Sequence, residues 1–201
     1  YKRQSSNGDV FAWGSNKFKQ VENSDNEIVS TPVYVPVSRM TSIAAGKGDE
    51  FTTSYGVQEL GKVLAWGSNE NSEMGEGVID SVTGQAIVSG GGLENIRVLE
   101  VAAGNGNAAA LTENTTNNSY EYYVWGNNDN GQLGVDGKIV AYPTLVEALK
   151  DNPATPNADE TILVSAVELS ESHTIIIDAL TKRAYTWGKN DHNQLGYQQS
   201  I

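Results

Sequence analysis

The sequence predicts an all-β chain that forms part of a β-propeller. The first observation is a tandem repeat, because each of the four tryptophans is followed directly by glycine and three positions later by asparagine. The second is the period: the tryptophans stand at positions 13, 66, 125 and 187, which gives spacings of 53, 59 and 62 residues. Propeller blades repeat at roughly 40–50 residues. The third is that short runs rich in β-branched and aromatic residues end at these tryptophans, as strands do.

Three kinds of strand-like segment recur, which predicts about four strands in each repeat. The first kind ends at a tryptophan, and the second is an apolar hairpin around a turn of small residues. The third kind carries Pro32 or Pro143, and proline restricts it to the beginning of a strand or to an exposed edge. The first kind comprises residues 10–13, 62–66 and 122–125, and the hairpins comprise residues 43–52, 101–111 and 167–177.

The predicted organisation is one partial propeller over residues 1–201, with about three blades plus one extra strand. The repeat units run approximately over residues 9–60, 61–118 and 119–181, with an incomplete unit at 182–201. Propellers close with about 4–8 blades, and an open arc leaves strand edges unpaired. We therefore expect the chain to be a fragment of a larger propeller. Missing sequence would complete the ring, or alternatively a second chain would do so.

Composition excludes several classes of function. The formal net charge of −12 opposes binding to nucleic acid or to an anionic membrane surface, since both attract cationic proteins. The chain has no cysteine, which excludes disulfides and thiolate metal sites. We expect no membrane insertion, because no run of about 18 apolar residues occurs. No targeting segment stands in the sequence, so an intracellular and a cell-surface location both stay open.

Motifs of catalysis and metal binding are incomplete in this sequence. The histidines are His173 and His192, too few for a metal site with the usual three or four nitrogen and sulfur ligands. Residues 128–131 resemble a calcium loop, but glycines stand at 126 and 137, where its acidic ligands belong. Residues 104–109 match a degenerate dinucleotide pattern with no helix pattern after them. The sequence therefore predicts no catalytic residue, no cofactor and no metal.

A long polar loop is the candidate contact for a partner. Residues 150–161 depart furthest from the repeat and contain two prolines. Long loops on a rigid scaffold concentrate binding residues, although an insertion without a role is the alternative interpretation. Residues 81–95 are a second predicted insertion. The candidate contact residues of the first loop are Asp151, Asn152, Asp159 and Glu160.

The repeated residues have predicted scaffold roles. Tryptophan supplies a large apolar area between blades, the glycine after it permits a backbone conformation that other residues resist, and the asparagine bonds its own turn. Within the hairpin repeat a histidine is present once, as His173, where we expect a structural hydrogen bond. Asp49 and Asn107 stand at the same position of the other hairpins.

These motifs resemble the repeats of the regulator of chromosome condensation family, in which W-G-x-N leads to G-Q-L-G and a hairpin with Gly-x-x-His follows. Residues 125–134 match the first motif in full, and residues 187–196 differ by Asn193 at its first glycine. Residues 66–75 have Glu73-Met74 in place of Gln-Leu, and the first copy keeps Gln20. The resemblance covers nearly the whole chain and implies a propeller of seven blades.

Three hypotheses for function follow. The leading one is a non-enzymatic scaffold for protein–protein interaction, whose partner is another protein such as a small GTPase or a larger complex. The alternative that the resemblance implies is guanine-nucleotide exchange on a Ran-like small GTPase, for which no residue of this chain can be assigned. A third is a secreted or cell-surface structural or adhesive repeat, suggested by the acidic, cysteine-free composition.

Overall fold

The computed structural model describes residues 2–4, 8–22, 24–37, 39–48, 50–75, 82–88, 90–114, 119–150 and 162–196. The described chain forms four antiparallel sheets, each made of strands consecutive in the sequence. The second and third sheets have four strands, and the first and fourth have three. The prediction of an all-β propeller arc is therefore confirmed, and we refer to the sheets as the first to fourth blades. No described helix is long and apolar enough to cross a membrane.

The strands of the first blade are β1 Lys2–Gln4, β2 Val10–Ser15 and β3 Ile28–Val35. Those of the second are β4 Met40–Ala45, β5 Thr53–Gln58, β6 Val63–Gly67 and β7 Val82–Val88. Those of the third are β8 Arg97–Ala103, β9 Asn107–Asn114, β10 Ser119–Asn127 and β11 Ile139–Leu145. Those of the fourth are β12 Val164–Leu169, β13 His173–Asp178 and β14 Ala184–Gly188. Single 3₁₀ turns occur at Gly91–Leu93 and Glu147–Leu149.

Each sheet combines strands from two successive units of the sequence repeat. The predicted units begin at residues 61, 119 and 182. Residues 61 and 182 lie between the second and third strands of a blade, and residue 119 begins the third strand. The tryptophan strand that opens a unit is thus hydrogen-bonded to the hairpin that closes the unit before it. Consecutive units are held together by backbone hydrogen bonds as well as by side-chain packing.

The hydrophobic core lies between the blades as three separate clusters. The largest, between the second and third blades, includes Tyr55, Val63 and Met74 together with Val101 and Trp125. Similar clusters lie between the first and second blades and between the third and fourth. Since each cluster draws residues from two blades, burial of apolar area favours stacking of the blades rather than folding of one blade alone.

Trp66, Trp125 and Trp187 lie in or against the clusters between blades, which is the role expected for the tryptophans. Trp125 is fully buried, and its Nε1 donates to the backbone carbonyl of Glu73 in the preceding blade at 2.6 Å. Its ring packs edge-to-face on Tyr55, with the ring centroids 6.0 Å apart. Trp66 likewise donates to the carbonyl of Gln20 at 3.1 Å. An apolar ring with one hydrogen-bond donor therefore joins each of these pairs of blades.

The asparagine three residues after each tryptophan closes the loop that follows. Its Oδ1 accepts a hydrogen bond from the backbone N–H five residues later in all four copies, at 2.8–3.0 Å. In the third blade Asn128 Nδ2 also donates to the carbonyls of Val135 and Gly137, both at 2.7 Å. Where the strand ends, one buried asparagine side chain thus makes the hydrogen bonds to backbone groups that a neighbouring strand would otherwise make.

The glycine after the tryptophan permits a close backbone crossing. Gly126 has φ +96°, and a Cβ there would stand 2.3 Å from the carbonyl oxygen of Gly106. That oxygen accepts the N–H of Asn127 at 2.6 Å, so the hairpin turn and the tryptophan strand are joined where a side chain would separate them. The same crossing recurs at Gly67 and Gly188. The expected permissive role of this glycine is confirmed.

The prolines and one predicted insertion can now be placed. Pro32 lies in β3 and Pro143 in β11, which are the outermost strands of their sheets, as predicted. The predicted insertion at residues 81–95 is wrong in part, because β7 occupies Val82–Val88 and forms the outer strand of the second blade. It pairs with β6 although it lacks the proline that marks the other two outer strands.

Replacing Asn128 by alanine is expected to lower the free energy of unfolding by about 1–3 kcal/mol, because the buried Leu133 N–H would lose its acceptor. Urea unfolding followed by tryptophan fluorescence measures the change. Asn130→Ala is the matched control, since this side chain is exposed in the same loop. Equal losses in both variants would contradict a structural role for the Asn128 hydrogen bonds.

Replacing Gly126 by alanine is expected to destabilise the fold by more than the ~1–2 kcal/mol that a left-handed backbone alone costs. The added Cβ would clash with the Gly106 carbonyl, whereas at Gly131, with φ +69°, it would meet no atom within 4 Å. Thermal unfolding of Gly126→Ala and Gly131→Ala therefore separates the clash from the backbone term. A similar loss of Tm in the two variants would show that the crossing tolerates a side chain.

Candidate protein-binding face

One face of the arc collects the hairpin turns after the inner strands and the loops after the tryptophan strands. β4 and β6 are both antiparallel to β5, so they end at the same edge of the sheet, and the other blades repeat this arrangement. We call this surface the turn face. Its described residues are 16–22, 24–27, 46–48, 50–52, 68–75, 104–106, 128–138, 170–172 and 189–196.

The loops of the turn face are held by a repeated side-chain bond. Seven residues after each tryptophan stands Gln or Glu, whose side-chain oxygen accepts the backbone N–H two residues earlier. The distances are 2.7–2.9 Å in all four copies. Combined with the asparagine bond, this fixes the shape of each loop in the absence of a partner. A preorganised surface loses less conformational entropy on binding.

Hydrogen bonds also tie the turns of neighbouring blades to each other. Gln132 Nε2 donates to the carbonyl of Glu171 at 3.0 Å, and Asn107 Nδ2 donates to the carbonyl of Ser170 at 3.2 Å. Between the second and third blades, the backbone N–H of Lys47 donates to Gly104 at 2.9 Å. The turn face is therefore one connected surface over the second, third and fourth blades.

The hairpin histidine has the structural role that the sequence predicts. His173 is partly buried, and its Nδ1 lies 2.8 Å from the hydroxyl oxygen of Ser170 in the same turn. Asn107 stands at the equivalent place in the third blade and bonds to the fourth blade through Ser170. Both residues hold turns in place.

Exposed carboxylates give the turn face its electrostatic character. Glu50, Glu70, Asp129 and Glu171 are exposed, and none forms an ion pair with another described residue. Three of the five described lysines of the same face are paired with carboxylates. These pairs are Lys19 with Asp25, Lys47 with Glu168, and Lys189 with Asp191.

Two of these pairs also shift the acidity of their carboxyl groups. The hydrogen bond from Lys189, together with that from Gln194, holds the pKa of Asp191 well below its usual range. The hydrogen bond and the charge of Lys19 lower the pKa of Asp25. The lowered pKa keeps both carboxylates ionised in neutral and mildly acidic solution. Both side chains are exposed, so their ion pairs add little to stability.

The candidate loop of the sequence lies outside the described residues. This applies to all four of its candidate contacts, Asp151, Asn152, Asp159 and Glu160. The flanking residues are described: Ile162 N donates to the carbonyl of Leu149 at 2.8 Å, so the base of the loop is closed. The loop joins β11 to β12 and therefore begins and ends on the face opposite the turn face.

The carboxylates of the turn face are not among the residues predicted as contacts, although the sequence carries a signal for them. Glu70, Asp129 and Asp191 each stand four residues after a tryptophan, at the tip of the loop. This recurrence of an acidic residue in the repeat register could have marked the tips as a charged surface. Among the residues described, no cluster of three or more His, Cys, Asp or Glu could hold a metal ion.

Comparison with known proteins identifies the repeat. The model of the Regulator of chromosome condensation (RCC1) repeat matches residues 7–49 and 121–177. The chain is 27% identical over 94% of its length to the E3 ubiquitin-protein ligase HERC2 of Homo sapiens, and it spans 4% of that protein. It is 27% identical, again over 94% of its length, to the Secretion-regulating guanine nucleotide exchange factor of Bos taurus, of which it spans 39%.

A solved structure agrees with these matches. The crystal structure of Prp20p from Saccharomyces cerevisiae, described with its binding properties to Gsp1p and histones, superposes with a TM-score of 0.67. The sequences are 25% identical, and the match covers 94% of this chain and 41% of Prp20p. The chain thus spans well under half the length of these relatives. The two matched segments show that the chain carries repeats of the regulator of chromosome condensation family, and the loop bonds of the asparagine and of the Gln or Glu recur in all four copies.

Proposed function

We propose that this chain is part of a protein-binding propeller that promotes guanine-nucleotide exchange on a small GTPase. The observation that carries the proposal is the match over 94% of the chain to a protein named as a guanine nucleotide exchange factor. The regulator of chromosome condensation family, which the sequence motifs resemble, also implies guanine-nucleotide exchange. The likeness to Prp20p, a protein with binding properties to Gsp1p and histones, supports a protein as the partner.

The turn face is the proposed contact surface. Its loops are fixed by internal hydrogen bonds, and they present Glu70, Asp129 and Glu171 without paired cations among the described residues. A surface of this charge attracts a basic partner surface over long distances and accelerates association. The partner is therefore expected to present lysine and arginine side chains to the turn face.

The loop at residues 150–161 is a second proposed contact on the opposite face. Its Asp151, Asn152, Asp159 and Glu160 keep the role proposed from the sequence, which rests on loop length and polarity. Contacts on both faces are compatible with one protein that binds a GTPase on one side and another protein on the other.

The intact protein is expected to accelerate release of a fluorescent GDP analogue from at least one member of a panel of small GTPases. Stopped-flow fluorescence measures the release rate with excess unlabelled nucleotide. Binding without accelerated release would support the scaffold hypothesis instead. Absence of both binding and release across the panel would contradict the proposed function.

Neutralising the turn face is expected to slow association with the GTPase by about 10–100-fold at low salt, because electrostatic steering is lost. The variant carries Glu70→Gln, Asp129→Asn and Glu171→Gln. Its matched control carries Glu59→Gln, Glu94→Gln and Glu147→Gln, which make the same change in charge on the opposite face. Equal slowing in both variants would show that net charge matters and that the turn face is not the contact surface.

A further inference from the structure

Glu73 is a buried carboxyl group at a position that carries glutamine in the other three blades. Its counterparts are Gln20, Gln132 and Gln194. Each of the four side chains accepts a loop N–H, and Glu73 Oε2 does so from Asn71 at 2.7 Å. This bond to the loop is therefore the same with either residue. The difference lies in the other polar atom of the side chain, which is an amide nitrogen in Gln and a carboxyl oxygen in Glu.

The glutamines donate a hydrogen bond that an ionised glutamate cannot make. Gln20 Nε2 donates to the hydroxyl of Thr52 at 2.8 Å, across the seam between the first and second blades. Gln132 Nε2 donates to Asn127 Oδ1 at 2.9 Å and to the carbonyl of Glu171 in the fourth blade at 3.0 Å. A carboxyl group can act as a donor of this kind only when it is protonated.

The surroundings of the Glu73 side chain stabilise a negative charge poorly. The residue is 0% exposed, and its Oε1 has only long contacts, 3.3 Å to Ser68 Oγ and 3.5 Å to Asn71 Nδ2. No described Lys, Arg or His forms an ion pair with it. A charge buried without a cation and with few donors is unfavourable.

The same residue lies at the centre of the seam between the second and third blades. Its backbone carbonyl accepts hydrogen bonds from the hydroxyl of Tyr55 at 2.5 Å and from Trp125 Nε1 at 2.6 Å. Tyr55 is on β5 of the same blade, and Trp125 is on β10 of the next. A movement of this loop would therefore change the tryptophan contact that joins the two blades.

Among the groups that contact its carboxyl or its carbonyl, Glu73 itself is the one that titrates in the neutral and acidic range. Tyr55 on β5 is the titratable neighbour, and burial together with the charge of Glu73 raises its pKa well above its usual value. Trp125 on β10 and Asn71 and Ser68 on its own loop carry no charge. Burial raises the pKa of Glu73 itself, against the opposing effect of its backbone and side-chain hydrogen bonds.

We infer that Glu73 makes the seam between the second and third blades a pH-dependent joint. The joint is closed while Glu73 is protonated and neutral, as its glutamine counterparts are at every pH, and it loosens when the carboxylate ionises. The folded-state pKa lies above the unfolded one, so the stabilisation is complete below the unfolded pKa. It is lost as the pH rises through the folded pKa. The neighbouring seams have glutamine at this position and do not share this dependence.

The test is the solvent exchange of the Trp125 indole N–H, measured by NMR in the intact protein and in its Glu73→Gln variant. At neutral pH the exchange is expected to be faster in the wild type than in the variant. The expected ratio is about tenfold for each unit by which the pKa of Glu73 is raised. The two proteins are expected to converge in acid. Comparing them at each pH cancels the intrinsic pH dependence of exchange.

Two controls distinguish the joint from a general change in stability. The Trp66 indole lies in the seam between the first and second blades and is expected to exchange equally in both proteins. The reciprocal variant Gln132→Glu is expected to create the same pH dependence at the amide of Leu133, the next residue of the third blade. Equal Trp125 exchange in wild type and Glu73→Gln at every pH would overturn the inference, as would a Glu73 carboxyl that titrates at its ordinary pKa.

Discussion

One backbone carbonyl at each seam accepts hydrogen bonds that help to hold adjacent blades together. It belongs to the residue seven positions after the tryptophan, and in the first two seams the indole of the next blade donates to it, Trp66 to Gln20 and Trp125 to Glu73. A hydroxyl group donates to the same oxygen, from Ser54 at 2.7 Å in the first seam. Because a carbonyl oxygen has two lone pairs, both donors are satisfied in a region closed to water.

The source of the hydroxyl differs between the seams, while the acceptor does not. Thr174 in the fourth blade donates to the carbonyl of Gln132 at 2.6 Å, at the position that Ser54 occupies in the second. The third blade has Ala108 there, which has no hydroxyl, and Tyr55 from the preceding blade donates instead. At each seam this carbonyl therefore accepts a hydroxyl donor, and residues at different positions of the repeat supply it.

The division between seam residues and loop tips explains how such a repeat can serve different proteins. The tryptophan, asparagine and glycine have structural roles at the seams and in the loops, whereas the residues at the loop tips differ in charge from blade to blade. The chain is similar in sequence to part of a ubiquitin-protein ligase and to part of a guanine nucleotide exchange factor. Function in such a family resides in the surface residues placed on the fold rather than in the fold itself. The turn-face carboxylates and the loop at residues 150–161 are surface features of this kind.

The sequence by itself determined the repeat, the strand class and the scaffold residues, because these depend on local spacing. In this chain the tryptophan, glycine and asparagine pattern marks a strand and a closed loop in all four copies and a close backbone crossing in three of them, and the hairpins and edge prolines follow from residue type. Only the tertiary structure decided which strands share a sheet, since each blade joins two sequence units. Tertiary structure also decided that Glu73 is buried at a seam while Glu70, three residues earlier, is exposed. Both are glutamates in one loop, and their different environments come from the blade packed against them, which no local pattern contains.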